Sequence, residues 1–145
     1  MNTRSRSTLF LIEQLIVIAV FAMCAAACAR ILTAAYFNAI DSRDINNAIL
    51  YAENGAESFK TTSGDLGTVA EIMGGFFTSS NTGGNVTVFF DNRWQVSSEV
   101  DARYILLLES RNADAALPNL VTGDLSVERS NGDKLISFPV AARVG

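Results

Sequence analysis

The chain has 145 residues, 49% of them hydrophobic, and eleven Lys and Arg against fifteen Asp and Glu give it a formal charge of −4. That length suits one small domain plus a membrane segment better than two independent domains. Residues 31–145 hold eight basic and fourteen acidic side chains, a formal charge of −6 without the basic patch nucleic acid needs. There is no histidine, and both cysteines lie in one apolar run, so Ser-His, Cys-His and imidazole-metal sites are excluded, and no thiol remains outside that run for a disulfide.

The chain opens with a polar leader, residues 1–8, that carries Arg4 and Arg6 and runs straight into LFLIEQLIVIAVFAMCAAACA, residues 9–29. As a helix this run is about 31 Å long, roughly one hydrocarbon core. The basic leader places the N-terminus in the cytoplasm and the C-terminal part outside, although Arg30 directly after the run blunts the asymmetry. Cys24 and Cys28, at a helical i, i+4 spacing, read as small hydrophobes in a lipid-embedded helix. Glu13 is the one acid in the run. A carboxylate at the centre of a span costs ~2.5–3.5 kcal/mol, and less near its end, so an anchor alone gives no reason to carry it. The plainer alternative is a side chain that reaches back to the cytoplasmic headgroups.

Neither Pro nor Gly appears before Gly55, so the helix is expected to continue beyond Arg30 to about residue 60. In its outer half Ile45, Ile49, Ala52, Ala56 and Phe59 recur at helical spacing and form one face, with Asp44, Asn47, Glu53 and Glu57 elsewhere. This stripe is short and Ala-rich, which favours packing on a following domain over a free coiled coil.

From Thr61 the composition changes. TTSGDLGT and GGFFTSSNTGGN read as loops, and five segments have strand character: 86–91, 94–97, 103–109, 125–129 and 134–140. Hairpins are expected at Asp91-Asn92-Arg93 and at Ser130-Asn131-Gly132-Asp133, where Asn-Gly supplies positive backbone angles. YILLL, residues 104–108, is apolar on both faces and reads as a central strand covered by the helix on one side. In the last strand Ile136, Phe138 and Val140 share a face, and Pro139, which has no N–H to donate, assigns it to an edge. Such an edge is either a contact surface or simply protected. Trp94 and the Phe76-Phe77 pair read as core residues, with an exposed contact site as the alternative for the phenylalanines.

LIEQLIVIA, residues 11–19, resembles the N-terminal signature of type IV pilins and type II secretion pseudopilins in order as well as composition, with an acid before an apolar run and a basic leader ahead of it. The motif covers residues 1–30. The resemblance implies an α+β, pilin-like fold: a long N-terminal helix, part membrane and part amphipathic, packed on a small antiparallel β-sheet. Its segments are the leader 1–8, a transmembrane helix 9–29, its amphipathic continuation 30–60 and an extracytoplasmic β-rich head 61–145. It implies cleavage by a prepilin peptidase between Thr8 and Leu9, with methylation of the new terminus, where the family carries Gly and Phe. A cut after Ser7 puts a smaller residue before the bond but moves Glu13 one place from its position. Glu13 takes the place of the family glutamate that pairs with the N-terminal amine of a neighbouring subunit. The implied partners are other pilin-like subunits, the peptidase and a membrane platform driven by an assembly ATPase. The family's helix-bending Pro and Gly are absent here, which points to a minor or divergent member.

Two other classes compete. Ala25-Ala26-Ala27 before Cys28 resembles a lipoprotein leader, which would make the product a secreted or lipid-anchored binding domain whose residues 1–28 are a signal peptide. Against it stand Ala25, where such signals carry Leu, and the acid in the apolar region. Catalysis would rest on Asp91, Glu99, Asp101 and Glu109 with no base or nucleophile beside them, and a solvated surface explains them more simply. Asp91-Asn92 and Asp114 lack EF-hand spacing for calcium, and the sequon Asn85-Val86-Thr87 is a single match. The expectation is therefore a structural protein with no enzyme activity and no cofactor.

Overall fold

The computed structural model describes residues 3–80, 83–111 and 119–144. Helix α1, Thr3–Thr61, is followed by helix α2, Leu66–Met73, and by strands β1, Phe76–Ser80, β2, Gly83–Phe90, β3, Tyr104–Arg111, β4, Leu120–Arg129, and β5, Lys134–Arg143. The five strands form one antiparallel sheet in the order β1-β2-β3-β4-β5. This is the α+β layout expected, a long helix on an antiparallel sheet. The chain divides into two compact units, Met1–Ser42 and Arg43–Gly145, and α1 contributes to both.

In the second unit α1 buries Asp44, Ala48, Ala52, Gly55, Ala56 and Phe59. The stripe is rotated from the one read in the sequence. Ile45 is exposed and Ile49 only half-buried, while Asp44 and Ala48 occupy the packed face. Small residues win these positions because the helix sits close to the sheet. A Cβ at Gly55 would lie 3.0 Å from Leu125 Cδ1. Against this face stand Val86, Val88, Phe90, Tyr104, Leu106, Leu108, Leu125 and Val127, the alternate residues of β2, β3 and β4. β3 occupies the middle of the sheet, with Tyr104, Leu106 and Leu108 towards the helices and Ile105 and Leu107 half-buried on the other face.

The expected loop TTSGDLGT contains a helix start. Asp65 caps α2, its Oδ1 accepting from Gly67 N at 3.1 Å and its Oδ2 from Thr68 Oγ1 at 2.6 Å. These bonds hold the Asp65 carboxyl below its ordinary pKa, the Thr68 hydroxyl contributing most. Leu66, Val69 and Ala70 are buried, and Leu66 fits because Gly84 lacks a side chain. A Cβ there would come within 2.9 Å of Leu66 Cδ1.

GGFFTSSNTGGN also differs from its reading as loop, since it contributes all of β1 and the start of β2. Polar Thr and Ser are tolerated in β1 because it is an edge strand with every residue exposed. Phe76 and Phe77 are therefore not core plugs: they are 62% and 47% exposed.

The expected strand 94–97 and its hairpin reduce to one bridge, Phe90 to Val96. Trp94 takes φ = 61°, which breaks extended structure but turns its ring into the core, where it is 4% exposed. Asp91 holds this turn, its Oδ1 accepting from Arg93 N at 2.8 Å and Gln95 N at 2.9 Å. The β4-β5 hairpin forms at Ser130-Asn131-Gly132-Asp133, but only Gly132 has positive φ, 86°. Arg129 O accepts from Gly132 N at 2.8 Å, as in a type I turn closed by a left-handed glycine. A bulge pairs Val127 with Ile136 and Glu128 with Lys134, so Leu135 has no partner and both Leu135 and Ile136 pack on the core. β5 lies at the sheet edge, as Pro139 required.

Candidate functional site

The residues singled out from the sequence, Thr8, Leu9 and Glu13, lie in the first unit. There every side chain from 8 to 42 is exposed. Large apolar groups are included, among them Phe10 (65%), Ile18 (61%) and Phe21 (75%). Within Thr8–Thr61 a window of mean hydropathy 2.5 is long and apolar enough to cross a membrane. Glu13 is exposed in that helix and has no hydrogen bond or ion pair among the described residues. Cys24 and Cys28 are free and exposed.

The apolar exposure does not stop at residue 29. Ile31 (68%), Leu32 (70%), Tyr36 (66%) and Phe37 (63%) follow Arg30, with the Tyr36 and Phe37 rings edge to face at 6.1 Å. Periodicity assigns this stretch to the amphipathic continuation of the helix, yet the first buried residue of α1 among those described is Asp44.

Where packing begins there is a polar anchor that periodicity alone did not reveal. Asp44, 8% exposed, takes Arg129 Nη2 from β4 at 3.2 Å, while Arg129 Nη1 reaches Asp133 Oδ2 at 2.8 Å. Burial first, and hydrogen bonding to the Asp44 carboxylate second, push the Tyr104 hydroxyl above its ordinary pKa. Beside it Trp94 is sandwiched, 4.1 Å from Tyr104 and 5.6 Å from Tyr51 between ring centres, and Tyr51 Oη donates to Trp94 O at 2.7 Å. The signal available in the sequence was Asp44, Ala48 and Ala52 at strict i, i+4 spacing.

The remaining candidates are not brought together. Asp91 caps its turn, Asp101 accepts from Ser98 Oγ at 3.2 Å, Glu99 opens a short 3₁₀ turn and Glu109 lies on β3 across from Asp124. Asp114 lies outside the described residues. Among the described residues no three His, Cys, Asp or Glu side chains gather as metal ligands. Asn85 of the sequon lies within β2, half-buried, with its Oδ1 enclosed and unpaired. A groove of about 700 Å³ runs between α1 and the edge strand β5, lined by Ile49, Glu53, Ala56, Lys60, Ile136 and Phe138 among others.

Comparison with family models, curated proteins and solved structures gives no match.

Proposed function

We propose that the chain is a minor or divergent pilin-like subunit of a type IV pilus, type II secretion or competence-type filament, and that it acts by assembly rather than by chemistry. The observation that carries the reading is one continuous helix with two kinds of surface. A membrane-length apolar stretch with a single acid, Glu13, opens it, and a packed stripe on a five-stranded antiparallel sheet closes it. The order of residues in LIEQLIVIA supplies the rest.

In this reading the apolar stretch first holds the subunit in the membrane, N-terminus inside, and then packs against neighbouring helices once the head is drawn out by the platform. A carboxylate enclosed among helices needs a cation, because a buried charge left alone costs ~3–5 kcal/mol. Glu13 thereby fixes the axial register between subunits. A prepilin peptidase removes residues 1–8, and Leu9 becomes the new, methylated terminus.

Mass spectrometry of the mature N-terminus tests the processing step. A start at Leu9 or Thr8, with N-methylation, is expected. Acylation of Cys28 or a start near residue 29 would replace the reading with a lipid-anchored or secreted domain. Independently, Glu13→Leu is expected to insert into membranes like the parent but to be depleted from sheared or sedimented filaments, and normal incorporation would remove Glu13 from its role.

A further inference from the structure

We infer that the cation facing Glu13 is Arg30 of a second copy of this chain, displaced along the helix axis by about 25 Å. The inference rests on the assembly reading above and adds the partner residue and the stagger.

Between residues 8 and 42 the sequence holds one Lys or Arg, Arg30, and Arg4 and Arg6 fall in the leader that processing removes. Arg30 is exposed and, like Glu13, has no hydrogen bond or ion pair among the described residues. The acid and the base therefore match in charge and lack partners within their own copy. They cannot meet in one helix, since the 17 residues between positions 13 and 30 correspond to about 25 Å of helix.

The exposed apolar stretch fixes which displacement is meant. A register of 17 residues sets residues 8–25 of one copy against 25–42 of the next. On the face that carries Arg30 it covers Phe37, which lies beyond the run that fills one hydrocarbon thickness and is 63% exposed. It also ends where the exposed unit ends, at Ser42. Pairing with Arg43 instead would need about 45 Å and would set the apolar run against a stretch whose face is already occupied by the sheet. At 100° per residue, positions 13 and 30 point about 100° apart around the helix, so each copy engages one neighbour through Glu13 and another through Arg30. Such a contact between unlike surfaces does not close on itself; it propagates. It also does not depend on the amine at Leu9.

The test uses the full chain in membranes, with Glu13→Arg, Arg30→Glu and the double exchange, and measures material recovered in sheared or chemically cross-linked assemblies. Each single reversal is expected to lower recovery by about tenfold and the double exchange to restore it to within about threefold of the parent. All variants are first checked for membrane insertion. In a Cys24→Ser, Cys28→Ser background with the charge pair intact, differently tagged Val20→Cys and Phe37→Cys chains, each seven residues beyond a member of the pair and so on the same face, are expected to cross-link to each other. A double exchange no better than the singles, or the absence of that cross-link in material that does assemble, overturns the pairing and leaves the assembly reading standing. Failure of the parent chain to assemble at all overturns both.

Discussion

Within α1, residues 8–42 expose every side chain, whereas the later turns bury Asp44, Ala48, Ala52, Gly55, Ala56 and Phe59 against the sheet. The two stretches are helical for different reasons. The second is held by tertiary contacts with β2, β3 and β4. The first exposes every side chain among its described residues, whereas an isolated helix in water is sustained mainly by packing of an apolar face. Its large apolar residues all round the helix match a lipid or multi-helix surrounding instead. The difference teaches that hydrophobicity in this chain serves two separate ends. Small apolar residues bring α1 close to its own sheet, and large ones stay exposed along residues 8–42.

The largest effects are expected in the packed stretch. Phe59→Ala removes a fully buried ring and is expected to cost ~3–5 kcal/mol, read by urea unfolding of the full chain in detergent. The single Trp, Trp94, sits in the core stack and reports the transition by fluorescence. A cost near zero would mean that the outer stretch is not held as described.

Asp44→Ala takes from Arg129 the buried carboxylate that joins it to α1. The expected loss is about 2–3 kcal/mol, below that of a fully enclosed pair because 22% of the Arg129 side chain is open to solvent. Replacing both partners, Asp44→Leu with Arg129→Met, is expected to cost less than either single change. If the double change costs the sum of the singles, the two residues do not act as a pair.

A smaller effect concerns pH. The Tyr104 pKa is raised in the folded chain, so the folded state holds that proton more tightly than the unfolded one. Its contribution is complete below pH 10, the ordinary tyrosine value, and is lost as pH rises through the folded pKa. Tyr104→Phe is expected to reduce stability at pH 8 and to flatten the loss between pH 8 and 11. An unchanged slope would place the alkaline sensitivity elsewhere.

The smallest effect is the control. Phe37→Ala, in the exposed stretch, is expected to change unfolding of the head by less than ~0.5 kcal/mol, measured in the same urea titrations. A loss comparable with that of Phe59→Ala would erase the distinction between the two stretches.

Much of the second unit was legible because its cues are local. YILLL is apolar at every position and became the central strand. Pro139 lacks an N–H and became part of an edge. Other elements depended on partners distant in sequence. β1 is built from Phe, Thr and Ser beside glycines, and nothing in that composition separates strand from loop until β2 offers a ladder. Trp94 belonged to a plausible strand by pattern, but its ring is worth more between Tyr51 and Tyr104 than an extended backbone would be. The candidate site divides in the same way. Glu13 stood out as the lone acid of an apolar run, whereas Asp44 looked like one more surface acid because Arg129 is 85 residues away.

The sequence by itself determined the length of α1, the exceptional acid within its apolar stretch and the antiparallel character of the strands beyond it, since periodicity, helix breakers and turn residues act over a few residues. Only the tertiary structure decided which face of the outer helix is packed and where packing begins. Those depend on how closely a helix of alanines can approach a sheet, and on one arginine of β4 reaching one aspartate of α1.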